Sequence, residues 1–433
     1  MGKSATPPVK GPLPMQSEPQ SSYGKAMGII GTLFFIFGFV TWLNSVLIPF
    51  LKQACEISDF EVFFVTFAFY ISYLVMAIPS SAILKKIGFT KGMSLGLLIM
   101  AVGSLIFIPA AYTRSFPLFL LGLFAQGTGL TLLQAASNPY VTILGPIEKA
   151  AQRISIMGIC NKVAGMIGIF VLVQLLFSDA AELSARIETL TGAAREAELQ
   201  ALAQRVVVPY LVMTVVLLAL AFMVRKSDLP EINTDEENGA AADEAGVKKG
   251  IPPHLLLGVV CIFAYVGVEV LAIDSLALYG EYNGLQKMVA TNLGIYSLIA
   301  LTVGYLSGIV LIPKFISQKT GLIICATMAL VLSVGALVTT GWSSIICIIL
   351  LSLSHALMWP GIWPLAMNKA GRHTKIGAAF MVMAICGGAI LPLIYGAIAR
   401  STDRHIAYMV MLPCYVYILY YGLSGHKVGL KEK

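Results

Sequence analysis

Three charged side chains, Lys162, Glu269 and Asp274, fall inside segments that are otherwise strongly apolar. A charge at the middle of a bilayer costs ~2.5–3.5 kcal/mol on insertion scales, so such residues need a partner or water. A lysine can neutralise an acid or donate to hydroxyl groups, and a carboxylate can accept hydrogen bonds or carry a cation. We therefore predict a polar ligand site with Glu269 and Asp274 as candidates for ion coupling. The structural alternatives are a Lys162 side chain that extends to the lipid headgroups and an ion pair that only holds helices together.

Amide side chains accompany these charges. Gln134 and Asn138 are spaced i,i+4 in the stretch QAASNPYVTILGP, which places both on one face of a helix. Pro139 removes a backbone N–H and disfavours helix at Asn138, so the backbone there is loosened. Asn161 directly precedes Lys162. Because an amide both donates and accepts, this set suits a ligand that is rich in hydroxyl groups.

Three further residues have a weaker claim to line the same site. Asn44 lies in the first apolar segment, Asn292 lies in a later one, and Trp359 stands in ALMWPGIWP, where its ring could stack on a sugar. Each has a packing alternative, since asparagine joins helices and tryptophan fills gaps between prolines. The complete predicted substrate-binding set is Gln134, Asn138, Asn161, Lys162, Glu269, Asn44, Asn292 and Trp359.

Motifs of enzymatic chemistry are missing from the sequence. It has no GxxxxGK[ST] loop, no HExxH and no GxSxG with plausible triad partners. Its seven cysteines show no CxxC spacing and are interpreted as packing residues, so we predict no metal site. We predict a protein that is not an enzyme and has no cofactor, with Na⁺ or H⁺ as the coupling ion.

The composition places these residues in a membrane. Of 433 residues 58% are hydrophobic and 12% are charged, whereas soluble proteins have about 25% charged residues. A bilayer core of ~30 Å needs ~20 apolar helical residues. Twelve runs meet this requirement, which predicts an all-α membrane protein with twelve transmembrane helices. The runs are 26–51, 61–84, 92–112, 116–144, 154–177, 207–224, 254–280, 289–312, 320–340, 343–368, 375–398 and 405–423.

A charged, Gly- and Ala-rich stretch at 225–253 divides these runs into two six-helix halves, 26–224 and 254–423. Residues 1–25 are rich in Pro, Ser and Lys without an apolar core, which predicts a disordered cytoplasmic tail and not a cleaved signal peptide. Residues 424–433 form a second tail. The long loop 178–206 is expected to be a short amphipathic helix or a helical hairpin in water.

Lysine and arginine counts predict the orientation. On the side of the N-terminus the loops and tails hold 20 of these residues, and the opposite loops hold 8. The positive-inside rule therefore places both termini and the central linker in the cytoplasm. This topology accounts for the net charge of +7, and nothing indicates nucleic-acid binding.

Six plus six helices with a cytoplasmic linker is the architecture of the major facilitator superfamily. Within it, QAASNPYVTILGP resembles the signature of the fucose:proton symporter family. Supporting stretches are LNSVLIPFL (43–51), QRISIMGICNKVAG (152–165), FAYVGVEV (263–270) and MNKAGRHTKIGAAF (367–380). GVEVLAID and NKVAG are more similar to the glucose/galactose or N-acetylglucosamine permease branch. The resemblance implies a monomer in a bacterial inner membrane.

The chain departs from the fucose permease pattern at two positions. That pattern has carboxylates tied to proton coupling where this chain has Ser45 and Gln134. Neither residue can titrate, so any coupling group lies elsewhere.

These observations favour a secondary active transporter that takes up a hexose or N-acetylhexosamine (glucose, galactose or N-acetylglucosamine) with H⁺ or Na⁺. Its partners would be the sugar and the lipid bilayer. Two alternatives stay open: an efflux antiporter of the same fold and, less favoured, a membrane sugar sensor that does not transport.

Overall fold

A computed structural model describes residues 20–143, 150–227, 229, 251–312, 314–370 and 373–430. Within these residues, twelve helical segments are long and apolar enough to cross a membrane, as predicted. They are numbered here as spans 1 to 12 in chain order. They cover Gly24–Ala54, Glu61–Ile87, Phe89–Thr113, Phe116–Asn138, Arg153–Thr189, Gly192–Arg225, Pro253–Asp274, Lys287–Leu311, Gln318–Val338, Gly341–Met367, Ile376–Ser401 and Ile406–Leu423.

The secondary structure of the described residues is helical throughout these spans. The α-helices are Gln20–Trp42, Asn44–Ala54, Phe64–Ile87, Phe89–Thr113, Phe116–Ile143, Ala150–Phe177, Ala180–Thr189, Gly192–Gln204, Val207–Arg225, Pro253–Asp274, Leu276–Tyr282, Lys287–Leu311, Gln318–Val338, Gly341–His355, Met358–Met367, Thr374–Met383, Gly387–Ser401 and Met411–Leu423. Short 3₁₀ segments are Glu61–Phe63, Ala384–Cys386, Ile406–Val410 and Gly425–Lys427. Large apolar side chains such as Val208, Val310 and Val338 remain exposed on the outside of the bundle, where lipid would cover them.

Several boundaries differ from the prediction. The first helix begins at Gln20, within the predicted tail. Residues 1–19 and most of the linker at 225–253 lie outside the described residues, so those two assignments stay predictions. The loop 178–206 is a helical hairpin of Ala180–Thr189 and Gly192–Gln204, one of the two expected forms.

Glycines let spans from the same half approach to backbone contact. A Cβ placed on Gly38 in span 1 would lie 1.7 Å from the carbonyl oxygen of Asn161 in span 5. A Cβ on Gly387 in span 11 would lie 1.9 Å from the carbonyl oxygen of Phe263 in span 7. Small residues of this kind are the usual means of close helix packing in lipid. The contact at Gly38 also holds the backbone of Asn161, one of the predicted site residues.

Several spans are interrupted along their length, and a short helix follows span 7 after a break. Span 1 breaks at Leu43, and the helix of span 7 stops at Asp274 before resuming at Leu276. Span 10 breaks after His355, where Pro360 has no N–H to donate to the carbonyl four residues earlier. Span 11 passes through a 3₁₀ turn before Gly387. Breaks of this kind are tolerated at membrane depth where the backbone is buried in protein or lines a cavity.

The chain passes through twelve spans, so its two ends lie at one face of the bundle. The loops that follow odd-numbered spans lie at the other face (the opposite face). At that opposite face the two halves meet through charged and polar side chains. Arg404 of the second half pairs with Asp59 of the first half, Nη2 to Oδ1, at 2.8 Å. Lys287 donates to Gln53 Oε1 at 2.5 Å. These bonds close the opposite face.

The charge state of Asp59 depends on this contact. Burial raises the pKa of the Asp59 carboxyl, but the hydrogen bond from Lys52 and the charge of Arg404 outweigh burial and hold this pKa below its usual range. A group with a lowered pKa stabilises the closed arrangement at neutral pH and loses that effect as the pH falls through the lowered value.

We expect Gly38→Ala to destabilise the protein. Its methyl group would overlap the Asn161 carbonyl oxygen, and overpacking of this kind costs ~1–3 kcal/mol. The measurement is the thermal unfolding midpoint in detergent. Gly28→Ala in the same helix is the control, because a Cβ there meets nothing within 4 Å, and its midpoint should be unchanged or higher. Equal midpoints for the two variants would contradict the described packing.

We expect Asp59→Asn, or acidification of the wild type, to loosen the opposite face. Spin labels at the exposed positions Glu188 and Tyr282, one in each half, would report a broader and longer distance distribution. Glu182→Gln, at an exposed position, should leave the distances unchanged. An Asp59→Asn distribution that matches the wild type at all pH values would show that this ion pair does not hold the closure.

Candidate functional site between the two halves

An ion pair joins the two halves in the interior of the bundle. Lys162 Nζ in span 5 lies 3.7 Å from Glu269 Oε1 in span 7, and the residues are only 7% and 8% exposed. The Lys162 side chain is thus directed at an acid of the other half, and not toward the lipid headgroups as in the alternative interpretation. A pair at this depth compensates two charges that would each be costly alone.

Trp42 covers the Lys162 ammonium, and Asn161 is hydrogen-bonded to Trp42. The Lys162 nitrogen lies 4.3 Å from the centre of the Trp42 ring, within the range of a cation–π contact. The Trp42 indole Nε1 donates to Asn161 Oδ1 at 3.2 Å, and Asn161 Nδ2 donates to the carbonyl of Phe34 at 3.5 Å. A Cβ on Gly165 would lie 2.4 Å from the Trp42 ring, so glycine makes room for the indole. Asn161 therefore orients the ring that covers Lys162.

Aromatic side chains of the second half surround Glu269. Tyr265 lies one helical turn before it, and its phenol is within electrostatic range of the carboxylate. His355 meets the Tyr265 ring edge-on at 6.2 Å between centroids, and Trp359 lies 6.4 Å from it. His355 Nε2 shares a 2.8 Å hydrogen bond with the Tyr415 hydroxyl. Trp359, a predicted site residue, thus lies near Tyr265, in the aromatic group next to Glu269.

Asp274 has different surroundings from Glu269. It is 2% exposed, and the hydroxyl of Thr66 in span 2 donates to its Oδ2 at 2.9 Å. The Tyr70 phenol lies within electrostatic range of both acids. Within the described residues, no cation pairs with Asp274. The two acids therefore form two separate contacts between the halves, one ionic and one neutral.

Gln134 joins this arrangement through tyrosines of span 2. Its amide lies beside the hydroxyl of Tyr73, and the Tyr73 ring stacks with Tyr70 at 6.1 Å between centroids. Gln134 is half-buried. The structure thus connects span 4 to both acids through two neighbouring phenols. Asn138 is also half-buried, but no hydrogen bond within the described part of the chain joins it to this group.

No hydrogen bond or ion pair within the described residues joins Asn44 or Asn292 to the Lys162–Glu269 pair. Asn44 is 1% exposed, and its Nδ2 has no partner among the described residues. Asn292 Nδ2 donates to the Met288 carbonyl of its own helix at 2.8 Å, and its Oδ1 has no partner in the same set. Ser45 follows Asn44 and lies 3.6 Å from a Cβ built on Gly294 of span 8.

Several residues of the site escaped the sequence reasoning. Trp42, Thr66, Tyr70, Tyr73 and Tyr415 belong to it, and none was singled out. Tyr70 and Tyr73 are spaced i,i+3 on an apolar helix, which is the one available signal. That signal is weak because the chain has 17 tyrosines, and a stripe of aromatic residues on a helix is more often a packing surface.

A bundle of two six-span halves with interrupted helices and buried polar residues between the halves is the architecture of many secondary transporters. Among the described residues, no group of three or more His, Cys, Asp or Glu side chains could hold a metal ion. The family model described as "Major Facilitator Superfamily" matches residues 29–393. The chain belongs to this superfamily of transporters, which confirms the predicted fold and the prediction that it is not an enzyme.

Individual relatives agree with this membership. The chain is 33% identical over 424 residues to a protein named glucose/galactose transporter from Brucella abortus biovar 1 (strain 9-941), covering 97% of this chain and 98% of the relative. It is 26% identical to the L-fucose-proton symporter of Escherichia coli (strain K12), covering 88% and 89%. The crystal structure of the transporter FucP in the outward conformation superposes with a TM-score of 0.70 at 25% identity, covering 93% and 98%. The resemblance to the fucose:proton symporter family is confirmed.

We expect Lys162→Met to destabilise the protein strongly. It leaves Glu269 buried without its cation, and breaking a buried pair typically costs ~3–5 kcal/mol. The measurement is thermal unfolding in detergent, with the double variant Lys162→Met/Glu269→Gln expected to recover part of the loss. Lys86→Met, at an exposed position, is the control. If Lys162→Met and Lys86→Met unfold at the same temperature, the pair does not contribute to the fold.

Proposed function

We propose that this protein takes up a hexose or N-acetylhexosamine (glucose, galactose or N-acetylglucosamine) by cation symport with alternating access. Relatives named glucose/galactose transporter, one of them 33% identical over nearly the whole chain, support the sugar class. Positive charges concentrated on one side support cytoplasmic termini, and the bacterial source of the relative supports a bacterial inner membrane. A single chain of this architecture contains both halves of the transport path, which supports a monomer.

The observation that carries the proposal is the chemistry around the buried ion pair. Glu269 Oε1 accepts no hydrogen bond from the described residues, although Lys162 lies 3.7 Å away. A sugar hydroxyl is a suitable donor to this oxygen, and the bond would be charge-assisted. The rings of Tyr265, one helical turn before Glu269, and of Trp359, 6.4 Å from the Tyr265 ring, are candidates to contact the apolar face of a pyranose ring.

The amides extend this site to the first half. Gln134 beside Tyr73 and Asn161 beside Trp42 each present both donors and acceptors. We assign substrate contacts to Gln134, Asn161, Lys162, Glu269 and Trp359, which lie around the two inter-half contacts. Asn138, Asn44 and Asn292 are proposed only as flanking residues.

Coupling requires a group that binds a cation during the cycle. Position 45 is a serine and position 134 is a glutamine, so neither can change charge. Glu269 and Asp274 are the buried carboxylates that bridge the two halves among the described residues. We propose that one of them binds H⁺ or Na⁺ and that its occupancy controls how the halves move.

The test is uptake of radiolabelled glucose, galactose, N-acetylglucosamine and fucose into proteoliposomes, under separate H⁺ and Na⁺ gradients. Accumulation of a hexose or N-acetylhexosamine above its external concentration under one gradient supports the proposal. Uptake that only equilibrates the sugar would overturn symport. Accumulation under a gradient of the opposite direction would indicate an antiporter, and sugar binding without transport would indicate a sensor.

We expect Gln134→Ala to raise the apparent KM for the sugar by about tenfold, because one lost hydrogen bond is worth ~1 kcal/mol or somewhat more. Gln126→Ala in the same span is the matched control. The Gln126 amide donates to Ser104 within the first half at 2.9 Å, so its loss should lower the unfolding midpoint and leave KM unchanged. An unchanged KM in Gln134→Ala would remove this residue from the site.

A further inference from the structure

The two buried carboxylates between the halves differ in the partner that each one has. Within the proposed function, on which this inference rests, we propose that Asp274 is the group that carries the transported proton. Glu269 then remains ionised beside Lys162 and serves as a sugar ligand. The geometry of the two acids separates these roles.

Glu269 already has a cation. Lys162 Nζ lies 3.7 Å from its Oε1, and the same ammonium is held over the Trp42 ring. A proton that bound to Glu269 would leave Lys162 as an uncompensated charge at membrane depth, which is unfavourable. Protonation of Glu269 would therefore remove the carboxylate charge and leave the buried Lys162 charge unpaired. The pair is suited to stay charged through the cycle.

Asp274 has no such compensation. It is 2% exposed, and its partner is the neutral hydroxyl of Thr66 in span 2. The titratable group that faces it from span 2 is the Tyr70 phenol. On the side of its own half, the next residue Ser275 bonds to the Tyr408 hydroxyl at 2.7 Å. None of these side chains supplies a positive charge, so a proton is the simplest species that can neutralise Asp274 in this closed arrangement.

A proton fits this position better than Na⁺ does. Hard cations are held by several oxygen ligands at once. The hydrogen bond described for the Asp274 carboxylate comes from one hydroxyl, that of Thr66, and the described residues contain no group of three or more His, Cys, Asp or Glu side chains that could hold a metal ion. A proton needs a single oxygen. It would form an O–H bond to one Asp274 oxygen after leaving water on one side, and that bond would break when the proton passes to water on the other side.

The position of Asp274 links protonation to movement. The Thr66–Asp274 hydrogen bond joins the first half to the second, at the residue where the main helix of span 7 stops. When the halves separate here, Asp274 loses its partner and meets water, where an ionised carboxylate is stable. When the halves close again, the Asp274 carboxyl must be protonated or must bind a cation. Closure around sugar thus requires a proton on Asp274.

The experiment compares Asp274→Asn, Thr66→Val and Glu269→Gln with the wild type in proteoliposomes. One assay measures sugar-driven proton entry with an internal pH dye, together with concentrative sugar uptake. A second assay measures counterflow, in which labelled sugar exchanges without net proton movement. A third assay needs no sugar: infrared titration of the protonated-carboxyl band of the purified protein.

We expect Asp274→Asn to lose sugar-driven proton entry and concentrative uptake while counterflow stays within about twofold of the wild type. Thr66→Val should remain coupled, with half-maximal uptake at a higher pH, since the Thr66 hydroxyl stabilises the ionised carboxylate. Glu269→Gln should weaken sugar binding and counterflow. The titrating carboxyl band should be present in the wild type and in Glu269→Gln and missing from Asp274→Asn.

Retention of coupled proton entry, or of the titrating band, in Asp274→Asn would overturn the assignment. Uptake coupled to Na⁺ and insensitive to a proton gradient would overturn it too. If the wild type moves none of the sugars, the proposed function fails, and the infrared titration still decides whether Asp274 exchanges a proton. Should Asp274→Asn not fold, the pH shift of Thr66→Val carries the test, and an unchanged pH dependence contradicts the proposal.

Discussion

The contact between Lys162 and Glu269 is the constraint on which the interior of this protein depends. Each charge is unfavourable in lipid, and each is tolerated because the other lies 3.7 Å away in the opposite half. The two halves must therefore stay in register at this depth. The neighbours serve the same contact, since Asn161 orients Trp42 over the ammonium and Tyr265 approaches the carboxylate. One oxygen of Glu269, Oε1, accepts no hydrogen bond from the described residues, and we propose it as the acceptor for a sugar hydroxyl.

Close packing within each half makes this arrangement possible. Gly38 allows span 1 to contact the backbone of span 5 beside Asn161, and Gly387 does the same for spans 11 and 7. Helix interruptions occur in spans that carry residues of the site: the first helix ends at Trp42, and the helix of span 7 stops at Asp274. Ser45 and Ser275 follow two of them and bond to the backbone carbonyls of Trp42 and Leu271. Serine side chains thus satisfy carbonyl groups near the breaks, as buried backbone in a membrane requires.

The contacts that involve charged groups between the two halves differ in how far solvent reaches them. The Asp59–Arg404 pair lies at the opposite face with Asp59 more than half exposed, so salt and pH can weaken it. The central pair is buried and is screened much less. Asp274 represents a third case, a buried acid with a hydroxyl partner only. A transporter needs contacts that break at different stages of its cycle, and these three contacts differ in the condition that breaks them.

The sequence by itself determined the twelve spans, the two halves and most of the segments that carry the site, because apolar length and charge asymmetry are local properties of a chain in lipid. It also identified Lys162, Glu269 and Asp274, since isolated charges stand out in apolar runs. Only the tertiary structure decided that Lys162 pairs with Glu269 while Asp274 meets Thr66. It also brought Trp42, Tyr70 and Tyr73 into the site. Pairing between distant residues depends on how helices rotate and pack against each other, and no local pattern in the sequence encodes that rotation.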